Sequence, residues 1–278
     1  VSLINPLSPL QFSPEMCGAL IEFARYGQPC IVAPLMMGGA SGPIQLPGLL
    51  ALQNAETLAG ITLAELAAPG APVIYGSTSS STDMMTGGLA IGSPETSIII
   101  EATAQMARYY GVPSRAGGSL TNAHIADGQA GAESALTLLT AATSGIHYIL
   151  HSCGILNSYL SMSFEKFLID EELCGMVKRI VGPLEIKGET IDLDTIKEVG
   201  IGGNYLAHPK TFELCRSAFF PSKLMYRDSY IAWNASGSST VADRAGQLLS
   251  VRLESYEKPP IDQGVEQALA EYVAKKTT

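Results

Sequence analysis

Four short apolar runs recur along the chain, at residues 29–33, 72–76, 113–117 and 146–150. Each breaks into small polar residues and then gives way to a stretch with helical spacing. The interval is roughly 40 residues, enough for a strand, a returning helix and the next strand, which need about 30. Repeated strand–helix units force parallel pairing. Four such units are half of an eight-stranded α/β barrel, in which the chemistry sits where strands end and loops begin. The spacing predicts helices over 15–26, where Met16, Leu20, Phe23 and Ala24 share a face, and over 48–67, ended by Pro69-Gly70. Another is opened by Ser93-Pro94-Glu95 and closed by Gly111, and two more cover 130–144 and 163–180. Loops are expected at 38–42, 77–83 and 117–127, and the fourth strand delivers His151-Ser152-Cys153-Gly154.

Residues 1–12 read as a connection with two prolines, and the opening Val1 suggests a longer protein that begins upstream. Past Val181 the rhythm fails. Residues 186–199 are polar and hold no clear buried strand, and 202–206 read as a loop or short strand. Helices are expected over 240–256 and 262–275, separated by Pro259-Pro260. The expected organisation is one domain over 1–278. Residues 1–182 hold the four strand–helix units, and 183–278 hold a final barrel segment and C-terminal helices.

Composition narrows the classes. The chain is 46% hydrophobic and 15% charged, with 28 glycines, as in an α/β protein with much buried backbone. The net charge of −9 and the lack of a Lys/Arg cluster argue against a nucleic-acid partner. No run of 18 apolar residues suggests a membrane span. Five cysteines, an odd number without CxxC spacing, favour reduced thiols in a cytoplasm over a disulfide framework.

Several segments carry a more specific signal. They are Ser8-Pro9-Leu10-Gln11, Gln53-Asn54-Ala55-Glu56, residues 72–83 (PVIYGSTSSSTD), residues 107–113 (ARYYGVP), Asp127-Gly128-Gln129-Ala130-Gly131, Glu165-Lys166-Phe167, His208-Pro209-Lys210-Thr211 and Arg227-Asp228-Ser229-Tyr230. In this order the chain resembles the trimethylamine methyltransferase family of corrinoid-dependent enzymes, and within it the non-pyrrolysine, glycine betaine branch. The resemblance implies a (β/α)8 TIM-type barrel of which this chain is the C-terminal part. It also implies transfer of a methyl group from a methylamine to cob(I)alamin on a separate corrinoid protein. The chain contains no pyrrolysine, so a quaternary amine such as glycine betaine is expected ahead of trimethylamine. The oligomeric state stays open.

Methyl transfer of this kind needs positioning rather than a general base. His151 is the leading catalytic candidate, at the end of the fourth strand. Alternation is expected to put His147, Ile149, His151 and Cys153 on one face, and an imidazole there could hydrogen-bond a betaine carboxylate. Aromatic rings hold quaternary ammonium ions. Tyr159 is the foremost cage candidate, with Tyr75 on the second strand and Tyr205, Phe219, Phe220 and Trp233 farther along. Ser77 and Asp83 bound a hydroxyl-rich loop that either lines the pocket or forms turns. Asn122, His124, Asp127 and Gln129 lie in the loop after the third strand; Asn122 and His124 could face the cavity, whereas Asp127 has the chemistry of a helix N-cap. His151-Ser152-Cys153 with Cys174 or Cys215 also invites a zinc reading, but no further ligand spacing supports it and no zinc is expected. The rival functions are a zinc-dependent corrinoid or thiol methyltransferase and a non-catalytic barrel fragment that binds a small ligand or a corrinoid protein.

Overall fold

A computed structural model describes residues 1–277. Its centre is a five-stranded sheet of β1 (Ser2–Ile4), β2 (Cys30–Val32), β3 (Val73–Gly76), β4 (Ser114–Gly117) and β5 (Tyr148–Leu150). The strands lie side by side in chain order and every pairing is parallel. Between them run α1 (Pro14–Arg25), α2 (Leu46–Ala67), α3 (Pro94–Tyr110) and α4 (Gly128–Thr143), and α5 (Phe164–Val181) follows β5. This is the arrangement that repeated strand–helix units impose: an α/β half-barrel. β1 and β5 have one strand neighbour each, so the sheet is not closed among the described residues.

The helices begin and end where local chemistry dictates. Ser93 precedes Pro94 at the start of α3, and Gly111 closes that helix in a left-handed conformation, φ 68°. Asp127 accepts the Ala130 N–H at 3.1 Å to cap α4, and Ser163 accepts that of Lys166 at 3.2 Å to cap α5. One sheet face packs on the helices. Val32 meets Leu20 and Ala24 of α1 and Ala64 of α2, and Ala116 meets Ile100 and Ala104 of α3 and Ala141 of α4. Alternation turns the neighbouring Gly76, Arg115 and Gly117 to the other, inner face.

Three segments differ from the sequence expectation. Residues 2–4, expected as a connection, form β1 because Ile4, 1% exposed, packs into the α1–α2 core. Three residues are too few for alternation to show. The expected loops at 38–42 and 77–83 pair instead: Ser80–Thr82 lies between Met37–Gly38 and Leu89–Ala90 in a small second sheet over the strand ends. Residues 202–206 contain no strand, and a single 3-10 turn forms at Tyr205–Ala207. Beyond Val181, Val241–Glu254 packs on α5 through Leu168, Leu224 and Ala245. Among the described residues, no helix is long and apolar enough to cross a membrane.

Candidate active site

Arg115 is the second residue of β4 and occupies the inner face of the half-barrel. Its side chain is 0% exposed. Nη1 donates to the Ser77 carbonyl at 2.7 Å, and Nη2 lies 3.3 Å from His151 Nδ1. Nε is buried without a partner, and no carboxylate is paired with this guanidinium among the described residues. A guanidinium has only donors to offer, so Nδ1 of His151 is the acceptor and the ring proton resides on Nε2. Burial, reinforced by the Arg115 charge, holds the His151 imidazole below its ordinary 6.5. The ring is therefore neutral at neutral pH, with one N–H left to give.

His151 reaches Arg115 by a route that strand alternation does not describe. β5 ends at Leu150, and His151 adopts a left-handed φ of 56°. The expected common face of His147, Ile149, His151 and Cys153 is lost at that point. His147 Nδ1 lies 2.9 Å from Ser114 Oγ, and Ile149 packs with Ile100 and Ala116 on the helix side. Arg115 draws His151 to the opposite side. Close approach makes this possible: Gly118 follows β4, and a Cβ there would lie 2.7 Å from Ser152 Oγ and 2.9 Å from Ser152 Cα.

Tyr159 covers the pair. Its ring meets that of His151 edge-on, with centroids 5.1 Å apart. The hydroxyl is buried without a partner, and burial pushes its pKa up to about 12, against the pull of Arg115. Asn157, Ser158 and Tyr159 have φ values of 49°, 53° and 74°. Three successive non-glycine residues in the left-handed region store strain, about 1 kcal/mol or more each. The remaining void lined by Ser77, Gly117, Leu120 and Tyr159 is only ≈ 10 Å³, barely one water.

The remaining sequence candidates fall into three groups. Ser77 belongs to the centre through its carbonyl on Arg115, while its hydroxyl donates to Gln53 Oε1 at 2.7 Å. Asn122 and His124 line a neighbouring polar cavity of ≈ 690 Å³, together with Asp83, Gln129, Glu133 and Ser158. There Asn122 acts as a clamp, donating to the Leu89 carbonyl and Ser158 Oγ, each at 2.6 Å, and accepting from Gly92 N–H at 2.9 Å. Asp83 is exposed at the rim. Its carboxylate accepts the N–H groups of Met85 and Thr86 in a turn, which holds it below the usual carboxylate range.

Other candidates lie away from Arg115. Tyr75 is buried on the helix side, stacked on Tyr110 and donating to Asn54 Oδ1 at 3.0 Å. Tyr205 and Phe219 line a separate apolar cavity of ≈ 450 Å³, and Phe220 lines one beside α5. Trp233 donates to the Ser239 carbonyl.

Two features were not singled out from sequence. Arg115 is one; its signal was being the sole Asp, Glu, Lys or Arg inside the four strand runs. The other is the Lys166–Asp170 ion pair, 2.5 Å long with both side chains 2% exposed. Lys166 also donates to Ser134 of α4, and Asp170 accepts the Gly154 N–H at 2.8 Å, so α5 anchors the loop that leaves His151. Among the described residues, no group of three or more His, Cys, Asp and Glu side chains is placed to hold a metal. His151 faces Arg115, whereas Cys174 Sγ reaches the Ser152 carbonyl at 3.7 Å.

The profile of the family described as Trimethylamine methyltransferase (MTTB) matches residues 1–278. A glycine betaine methyltransferase of Desulfitobacterium hafniense (strain Y51) is 42% identical over 276 residues, covering 99% of this chain and 57% of that protein. A trimethylamine methyltransferase of Methanosarcina barkeri (strain Fusaro / DSM 804) is 38% identical over 262 residues, covering 94% of this chain and 52% of that protein. Another, from Desulfitobacterium hafniense (strain DSM 10664 / DCB-2), is 33% identical, covering 97% and 54%. The chain thus spans little more than half the length of the curated relatives it matches. With a match along its whole length and a parallel half-barrel whose strand ends converge on one buried site, the chain belongs to the trimethylamine methyltransferase family.

Proposed function

We propose that the full-length protein containing this chain moves a methyl group from glycine betaine, or another quaternary amine bearing a carboxylate, to cob(I)alamin on a separate corrinoid protein. The observation that carries this reading is the buried, unpaired guanidinium of Arg115. A charge removed from water without a counterion costs several kcal/mol, and a bound carboxylate would supply the missing partner. Arg115 Nε and His151 Nε2–H offer two donors toward one anionic group. Trimethylamine has no carboxylate and would leave that cation unanswered.

In this reading Arg115 and His151 fix the acid end of the substrate, and the Tyr159 ring faces the cationic end. Because Tyr159 now fills the space, substrate displaces it, and the strained 157–159 segment makes that movement cheaper. Removing water from around the quaternary nitrogen favours its departure as a neutral tertiary amine. When docked, the acceptor's cobalt(I) supplies the nucleophile. This chain contributes orientation. The open polar cavity bounded by Asp83, Asn122 and His124 suits an acceptor that arrives from outside at the strand ends. The half-barrel itself belongs, in this reading, to the C-terminal part of a closed (β/α)8 barrel.

Calorimetric titration of the full-length protein tests the anchor. Glycine betaine should bind, and trimethylamine at the same concentration should not. Charge-assisted bonds are worth about 1.5–3 kcal/mol each, so Arg115→Met should weaken betaine binding roughly 10²-fold. Equal affinity for both amines, or an unchanged Arg115→Met affinity, would overturn the reading.

A further inference from the structure

Tyr159 covers the Arg115–His151 pair, yet its hydroxyl has no partner there. Its place is set by packing and by the backbone that carries it. The residue before it is fixed at two points. Ser158 N–H donates to the Thr121 carbonyl at 3.2 Å, and Ser158 Oγ accepts from Asn122 Nδ2 at 2.6 Å. One point would let Ser158 turn about its N–H bond. Two points fix the direction in which the chain leaves for Tyr159. Residues 157–159 are all left-handed, so the segment is held in place against its own strain.

Asn122 is itself locked. The Gly92 N–H only donates, so it faces Asn122 Oδ1, and the two Nδ2 protons go to the Leu89 carbonyl and to Ser158 Oγ. Ser158 Oγ–H donates in turn to the Leu89 carbonyl at 3.3 Å. Glu133 of α4 accepts the Asn122 N–H at 2.8 Å and the Thr121 hydroxyl at 2.6 Å, so a helix sets the loop that carries the amide. Asn122 and Ser158 both line the polar cavity at the strand ends. Their bond ties that cavity to the anchor that Tyr159 covers. None of the Asn122 bonds goes to Arg115 or His151.

We propose that Asn122 is a positioning residue whose bond to Ser158 holds the Tyr159 ring over Arg115 and His151, and that breaking this bond frees the ring and opens the anchor to substrate. The opening to substrate rests on the function proposed above, whereas the hold on Tyr159 does not. A ligand that must displace Tyr159 binds with its intrinsic affinity reduced by the fraction of open protein. Taking one hydrogen bond from the closed state raises a small open fraction about threefold to tenfold. Apparent affinity then tightens by the same factor. Simple damage to the site would weaken binding instead.

Tetranitromethane nitrates phenolate rings, and burial keeps the Tyr159 phenol protonated. The full-length protein and its Ser158→Ala variant are nitrated at mildly alkaline pH, and the peptides carrying Tyr159 and Tyr75 are quantified by mass spectrometry. Tyr75, fully buried on the helix side, is the internal control. Tyr159 should react about threefold to tenfold faster in the variant, with Tyr75 unchanged. Asn122→Ala removes the donor instead of the acceptor and should accelerate Tyr159 at least as much. Circular dichroism checks folding, and Asn122→Ala decides the matter if Ser158→Ala does not fold. The double variant should be no faster than Asn122→Ala, because both changes remove the same bond. Calorimetry on the folded variants should show glycine betaine bound about threefold to tenfold more tightly than by wild type. An unchanged Tyr159 rate, accelerations that add in the double variant, or betaine binding that is unchanged or weaker would overturn the proposal. If wild type and variants alike fail to bind betaine, the substrate reading falls and nitration alone decides whether Asn122 holds Tyr159.

Discussion

At the residue scale the site turns on one cation without a counterion. Arg115 is buried between a carbonyl and a neutral imidazole, and among the described residues its charge has no carboxylate to answer it. This arrangement makes His151 sensitive to pH in a defined direction. Its folded-state pKa lies below the ordinary 6.5, through burial first and Arg115 second. Above that value the ring is neutral in both folded and unfolded chains. Below it the unfolded chain takes up the proton first, so stability falls as pH drops through 6.5 toward the lowered folded value. His151→Gln, which keeps an amide for Arg115 and for ligand, should remove that part of the pH dependence. Urea midpoints of wild type and variant, compared at neutral pH and about one unit below 6.5, check it. Parallel losses in the two proteins would mean that His151 is not the group that titrates.

Elements show where sequence reading succeeds and where it stops. β2, β3 and β5 were legible as short apolar runs, β4 (Ser-Arg-Ala-Gly) by its place in the strand–helix spacing, and the helices by their periodicity and breakers. β1 was not, since three residues carry no period and its burial depends on α1 and α2. The loops at 77–83 and 38–42 looked polar and irregular because hydroxyl-rich strands over the strand ends have no apolar face. His151 was singled out by its position at a strand end, but the alternation invoked for it fails at a left-handed residue. Arg115 sat in plain view inside a strand run, and its meaning required knowing that no carboxylate among the described residues pairs with it.

The Lys166–Asp170 pair is legible only in three dimensions, because i,i+4 charges on a helix ordinarily face water. Here both are buried and tie α5 to α4 and to Gly154. Asp170→Asn should therefore cost about 3–5 kcal/mol, the usual penalty for stranding one member of a buried pair. Chemical denaturation measures it. A loss below 1 kcal/mol would place the pair among surface-like contacts.

At the scale of the whole chain, the half-barrel has two strand edges without neighbours among the described residues, and Tyr148 is 40% exposed on one of them. Open edges of a parallel sheet invite pairing. If the full-length protein closes the barrel, the edge amides of β1 and β5 should exchange with deuterium as slowly as those of β3. Exchange at the rate of exposed loops would contradict closure. The polar rim around Asp83, Asn122 and His124 would then be the mouth of that barrel, the side on which the proposed function has its methyl acceptor dock.

The proposed function rests on a buried Arg115–His151 anchor that selects a carboxylate-bearing quaternary amine. The most direct measurement is the rate of methylcobalamin formation, followed by absorbance. It uses full-length protein, cob(I)alamin, and either glycine betaine or trimethylamine as donor. The proposed function predicts transfer from betaine, little from trimethylamine, and a loss of roughly 10²-fold on betaine in a folded Arg115→Met variant. Equal rates from the two amines, or an undiminished Arg115→Met rate on betaine, would contradict it.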